Sequence, residues 1–149
     1  MERGKLIRLR RGVYALDSYN ELELANKLIV PSYISLETAL LKHSVIFQPA
    51  PAITSAAGYD KKIIVDEHIF RFYKMATDIL LNTQGLQRAG EILIAGPERA
   101  IGDWLYLNRP AEFVNLHGID EQKLREIASI YADDKVENRI LDIINRIKT

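Results

Sequence analysis

Between residues 52 and 95 the chain is a succession of short β-branched and aromatic runs, AITSA, KIIVD, HIFRFYKM and EILIAG, separated by turn residues. No other feature narrows the fold as far, because side chains branched at Cβ or carrying rings suit a pleated, half-buried surface. In HIFRFYK, Phe70 and Phe72 alternate with Ile69, Arg71 and Tyr73, which predicts a strand with one buried face. The breaks fall at Gly58-Tyr59-Asp60, at Asp66-Glu67 and in a polar loop near 82–90. Asp66-Glu67 is short enough for a hairpin turn, so the spacing predicts an antiparallel-rich sheet of four or more strands.

Helical periodicity flanks this stretch. Asn20 offers an N-cap, with Glu23 three residues on, to a helix over 21–29 that must end before Pro31. Leu36, Ala39, Leu40 and His43 recur at helical spacing over 35–43, and QPAPA (48–52) then reads as an extended connector. Gly96-Pro97-Glu98 opens a further helix, since proline is pre-organised for a first turn and a carboxylate suits the positive end of the dipole. That helix, 97–107, places Ala100, Ile101, Trp104, Leu105 and Leu107 largely on one side, so Trp104 is expected to be largely buried. Helices over 120–131 and 134–148 close the chain, the last with an apolar stripe of Val136, Ile140, Ile143, Ile144 and Ile147. The fold class expected is α+β: an N-terminal wing-like β-hairpin, an antiparallel-rich sheet packed with helices, and a helical C-terminus.

The chemistry of an enzyme is not legible. The three histidines, His43, His68 and His117, are too scattered for metal-ligand spacing. Neither GxGxxG nor GxxxxGK[ST] occurs. Ser35, Ser44 and Ser55 lie in no nucleophile-elbow pattern. Asp60, Asp66, Glu67 and Glu91 stand at strand ends, and strand-terminating turns account for them better than a metal site does. The expectation is a protein that is not an enzyme and has no catalytic residue, no cofactor and no metal. There is no cysteine, so disulfides and thiolate ligands are excluded. No apolar run approaches the roughly 18 residues of a transmembrane helix, and no apolar segment follows the charged start. A cytoplasmic location without membrane contact is expected.

The 149 residues carry formal net charge +0, so any contact with nucleic acid must come from a local patch. The densest one is N-terminal. KLIRLRRGVYAL (5–16) reads as a β-hairpin turning at Arg11-Gly12, with Leu6, Arg8 and Arg10 on one face. Lys5, Arg8, Arg10 and Arg11 suit a ribbon that grips phosphates. They equally suit a solvated strand whose charges shield a sheet edge.

Three ordered segments resemble a known family. LRRGVYAL (9–16) is similar to the wing of the winged-helix module that opens the AbiEi-like antitoxins of type IV toxin–antitoxin systems, the abortive-infection antitoxin family. YISLETALLKHSVI (33–46) resembles the family's helix after the DNA-binding module, and AGPERAIGDWLYL (95–107) resembles its A-x-P-E-[KR]-A-[LI]-x-D-x-[LW]-Y-L segment. The resemblance spans about residues 4–107. It implies a remnant wing hairpin over 1–17 and an antitoxin C-terminal α/β domain over 18–149. It further implies a transcriptional autoregulator that counters a nucleotidyltransferase-like toxin without a stable complex. Only eight residues precede Leu9, so no recognition helix is expected. The DNA contact expected of Lys5, Arg8, Arg10 and Arg11 is therefore weak, to duplex DNA, and blind to sequence. Leu36, Leu40, Trp104 and Tyr106 are read as fold markers. The competing expectation is a non-catalytic interaction domain that homodimerises through its sheet or terminal helices.

Overall fold

The computed structural model describes residues 6–10 and 13–16 by their backbone and residues 20–148 in full. The expected hairpin is there: β1 (Leu6–Arg10) and β2 (Val13–Leu16) pair antiparallel as a two-stranded sheet of their own. Register shifts between Arg8 and Arg10, so that Arg8 lies opposite Tyr14 and Arg10 opposite Val13. The proposed turn, Arg11-Gly12, lies outside the described residues.

Helix α1 (Glu21–Leu28) starts where the sequence expects, the Asn20 Oδ1 accepting the backbone N–H of Leu22 at 2.9 Å and of Glu23 at 3.2 Å. Glu23 does not complete a capping box; its carboxylate pairs with Lys27 one turn on, at 3.0 Å. Next comes β3 (Ser32–Ile34), a strand in a stretch to which the sequence assigns no element. Helix α2 (Glu37–Lys42) begins two residues later than expected because Leu36 takes φ 62°, ψ −137°, which no helix accommodates. Such a conformation costs a non-glycine residue about 1–3 kcal/mol. Thr54 brackets it: its Oγ1 donates to the Ser35 carbonyl at 2.6 Å and accepts the Thr38 N–H at 3.0 Å. Leu36 is itself completely buried.

Strands β4 (Ala52–Ala57), β5 (Lys61–Val65), β6 (His68–Lys74), β7 (Leu86–Ala89) and β8 (Ile92–Ala95) join β3 in one six-stranded sheet of order β5-β6-β4-β3-β8-β7. The β3–β4, β5–β6 and β7–β8 pairings are antiparallel, whereas β3–β8 and β4–β6 are parallel. Parallel neighbours usually need a helical crossover. Here Gly58-Tyr59-Asp60 carries the chain past the β6 position, β5 runs back along the edge, and the Asp66-Glu67 turn returns it as β6 between the other two. Both turn residues are left-handed, φ 48° and 70°, the conformation that matches the twist of paired strands. One helical turn, α3 (Thr77–Leu80), precedes β7, which occupies the stretch read as a polar loop.

Tyr33 and Ile34 point to opposite faces of β3 and both are buried, so the middle of the sheet is covered on both sides. Helix α4 (Pro97–Tyr106) starts at its proline and packs on β8, α2 and the terminal helices α5 (Glu121–Ala128) and α6 (Asp134–Lys148). A 3₁₀ turn, Ser129–Tyr131, follows α5. Trp104 is half-buried rather than largely buried: it packs against the core, but its indole N–H leaves it to reach the Pro110 carbonyl at 2.7 Å. No helix among the described residues is long and apolar enough to cross a membrane.

Candidate functional site

The two helical segments of the resemblance meet inside the molecule. Arg99 and Asp103 stand one turn apart on α4, hence on one face, and both are completely buried. Burying a charge is costly unless its hydrogen-bonding capacity is satisfied. Asp103 Oδ2 accepts the hydroxyls of Tyr33 at 2.9 Å and Ser35 at 2.7 Å, while Oδ1 accepts Tyr131 at 2.8 Å. On β3 the alternation Tyr33-Ile34-Ser35 sends both donors to the same side.

Arg99 answers with its terminal nitrogens. Nη1 donates to the carbonyls of Asn82 at 2.8 Å and Gln84 at 2.5 Å, and Nη2 to Ile79 at 2.7 Å and to the Tyr33 hydroxyl at 3.1 Å. The guanidinium also lies over the Tyr33 ring, 4.9 Å from its centroid. Its Nε is 3.4 Å from Asp103 Oδ1, an ion pair by distance that makes no hydrogen bond. Arg99 thus holds one carbonyl of α3 and two of the α3–β7 connection to the centre of the fold.

Burial pushes the Asp103 carboxyl above the usual aspartate range, against Arg99 and the three hydroxyls that favour its charge. Burial opposes the Arg99 charge, yet its pKa is raised overall, held up by Tyr33, Asp103 and Tyr131. Both tyrosines lie well above the usual phenol value, through burial first and the Asp103 carboxylate second. Tyr131 gets this close only because residue 102 is glycine: a Cβ there would collide with the Tyr131 hydroxyl and would meet Ile127 Cδ1 at 2.7 Å.

A second set of contacts ties the same segments together nearer the surface. Glu37 accepts from Arg109 Nη1 at 2.7 Å, and that guanidinium lies 4.6 Å from the Tyr73 ring centroid and 4.8 Å from that of Trp104. Arg139 donates to the Arg109 and Leu105 carbonyls, and Arg146 to that of Ala111 at 2.8 Å. Glu98 accepts the Asp120 N–H at 3.0 Å, which fixes the start of α5. Glu98, read as a dipole complement in sequence, and Glu37 therefore both have specific partners across the fold.

This geometry builds a keystone of the fold. The Asp103 oxygens are filled by protein donors, and Tyr33, Ser35, Arg99 and Asp103 have almost no exposed surface. The sharp turn after β3 presents Leu36 where a strand–turn–helix nucleophile would stand, and Ser35 is committed to Asp103. Arg99 and Asp103 at helical spacing, with Tyr33 and Ser35 at strand spacing, were the readable signs of this network. Their meeting across some seventy residues was not readable.

The other residues singled out in sequence stay apart. Asp60 accepts the Lys74 N–H at 2.9 Å, and Asp66 and Glu67 form the β5–β6 turn. His43 Nε2 lies 3.1 Å from the Ala95 carbonyl and His68 pairs with Glu21 at 2.8 Å. No three His, Asp or Glu among the described residues converge as a metal site. Of the hairpin cations, Arg8 and Arg10 fall on the backbone of β1, while Lys5 and Arg11 lie outside the described residues. Comparison with protein-family models and with curated proteins finds no match.

Proposed function

We propose that the chain is the antitoxin of a type IV toxin–antitoxin pair: it counters a nucleotidyltransferase-like toxin, and its N-terminal hairpin contributes weak, sequence-blind contact with duplex DNA to autoregulation. One observation carries the reading. The residues quoted for the resemblance at 33–46 and 95–107 are the ones that interlock, Tyr33 and Ser35 on Asp103. The two segments therefore belong to one folding unit, which is the arrangement a shared family pattern calls for.

The test is co-expression. Cells carrying a nucleotidyltransferase-like toxin encoded beside this chain should stop growing when the toxin is induced alone and recover when the chain is supplied. The two proteins should not co-purify as a stable complex. Persistent arrest with the folded chain present would refute the antitoxin reading.

A further inference from the structure

On strands β5 and β6, Lys62 and Arg71 lie directly opposite each other in an antiparallel register and both are exposed. Like charges in that position repel at close quarters and destabilise a sheet. No carboxylate among the described residues forms an ion pair with either one. The neighbouring arginine, Arg109, is already neutralised by Glu37 at 2.7 Å. Arg71 extends over the Tyr73 ring, 5.7 Å from its centroid, which restrains the guanidinium beside Lys62.

These side chains line a groove of about 240 Å³. Its lining is mixed. Lys62 and Arg71 supply the cations, Pro51 and Ile69 supply apolar surface, and Glu37 brings a carboxylate. The volume lies below the roughly 300–1,000 Å³ of drug-sized pockets, which limits an occupant to about one base with its sugar phosphate. We infer that this groove binds the phosphate of a nucleotide between Lys62 and Arg71, with the base lying along Pro51 and Ile69.

The chemistry follows from the lining. A phosphate removes the Lys62–Arg71 repulsion and takes charge-assisted hydrogen bonds from both, Arg71 offering a planar fork. An apolar surface receives the face of any base, whatever its sequence identity. The phosphate can belong to a free nucleoside monophosphate or to one unit of a single strand. The residues named for the site lie outside the N-terminal hairpin, and the inference does not depend on the antitoxin reading.

Titration of the full chain at low salt with a nucleoside monophosphate, inorganic phosphate and a short single-stranded oligonucleotide tests the inference. The mononucleotide should bind, and more tightly than inorganic phosphate. The double substitution Lys62→Gln/Arg71→Gln should weaken it about tenfold or more, the loss of about 1.4 kcal/mol. That variant should keep or slightly raise its melting temperature, since a repulsion is gone. Arg71→Lys should fall between, and Arg8→Ala/Arg10→Ala/Arg11→Ala should leave mononucleotide affinity unchanged. Tighter binding of the oligonucleotide than of the mononucleotide identifies a strand as the source, and equal binding a free nucleotide; either supports the site. It is overturned if the mononucleotide does not bind, or if the Lys62/Arg71 variant binds it as well as the native chain.

Discussion

Arg99 and Asp103 are one helical turn apart, completely buried, and 3.4 Å apart at their closest nitrogen and oxygen. Yet the pair is held less by its own contact than by the hydroxyls and carbonyls around it. Removing one member leaves the other charged and unpaired in the core, which costs about 3–5 kcal/mol. Asp103→Ala and Arg99→Met should each lose stability on that scale in denaturant titration. The double variant Arg99→Met/Asp103→Leu should lose clearly less than the sum, because no orphan charge remains. Strict additivity would mean that the two residues act independently.

The tyrosines set a pH limit. An ordinary phenol titrates near pH 10, and Tyr33 and Tyr131 are held above that in the fold. Their contribution is fully present below the unfolded pKa and is lost as pH rises through it towards the folded values. Stability should fall above about pH 10, by up to about 1.4 kcal/mol per pH unit for each tyrosine. Tyr131→Phe should cost about 1–3 kcal/mol at neutral pH, since Asp103 loses a donor, and should make the alkaline decline shallower. An unchanged alkaline slope in Tyr131→Phe would contradict this.

The β5–β6 turn should be improvable. Asp66 and Glu67 both adopt the left-handed conformation that Asn-Gly takes most readily in such hairpins. Asp66→Asn/Glu67→Gly should stabilise the protein by about 1 kcal/mol, a rise of about 2–4 °C in melting temperature for a chain of this size. A lower melting temperature would show that the two side chains make contacts worth more than the strain.

Much of this molecule could be read before it was seen, and the boundary is physical. Periodicity and caps are local, so the hairpin, the Asn20 cap, the Pro97 helix start and the β5–β6 turn were legible. Three-residue β3 offers too short a pattern to see, and its neighbour Leu36 looks helical by spacing while its backbone is not. The parallel β4–β6 pairing depends on which strand slips between two others, and no local residue encodes that. The keystone was half legible. Arg99 and Asp103 share a face by spacing, but Tyr131 reaches them only because Gly102 admits it.

The hairpin carries its own prediction. Three arginines, Arg8, Arg10 and Arg11, can neutralise about three phosphates, so duplex affinity should fall with salt at a log–log slope of about −2 to −3. Arg8→Ala/Arg10→Ala/Arg11→Ala should flatten the slope and weaken all sequences alike, because phosphate contacts do not read bases. Tight, sequence-selective binding, or binding indifferent to both salt and the substitutions, would contradict a wing-like role.

The most direct measurement is growth under toxin induction, with promoter repression scored in the same cells, for the native chain and for Arg8→Ala/Arg10→Ala/Arg11→Ala. If residues 18–149 form the antitoxin unit and the hairpin serves only DNA, the variant should restore growth as fully as the native chain while repressing less. If the native chain restores no growth although it is folded and abundant, the antitoxin assignment is wrong.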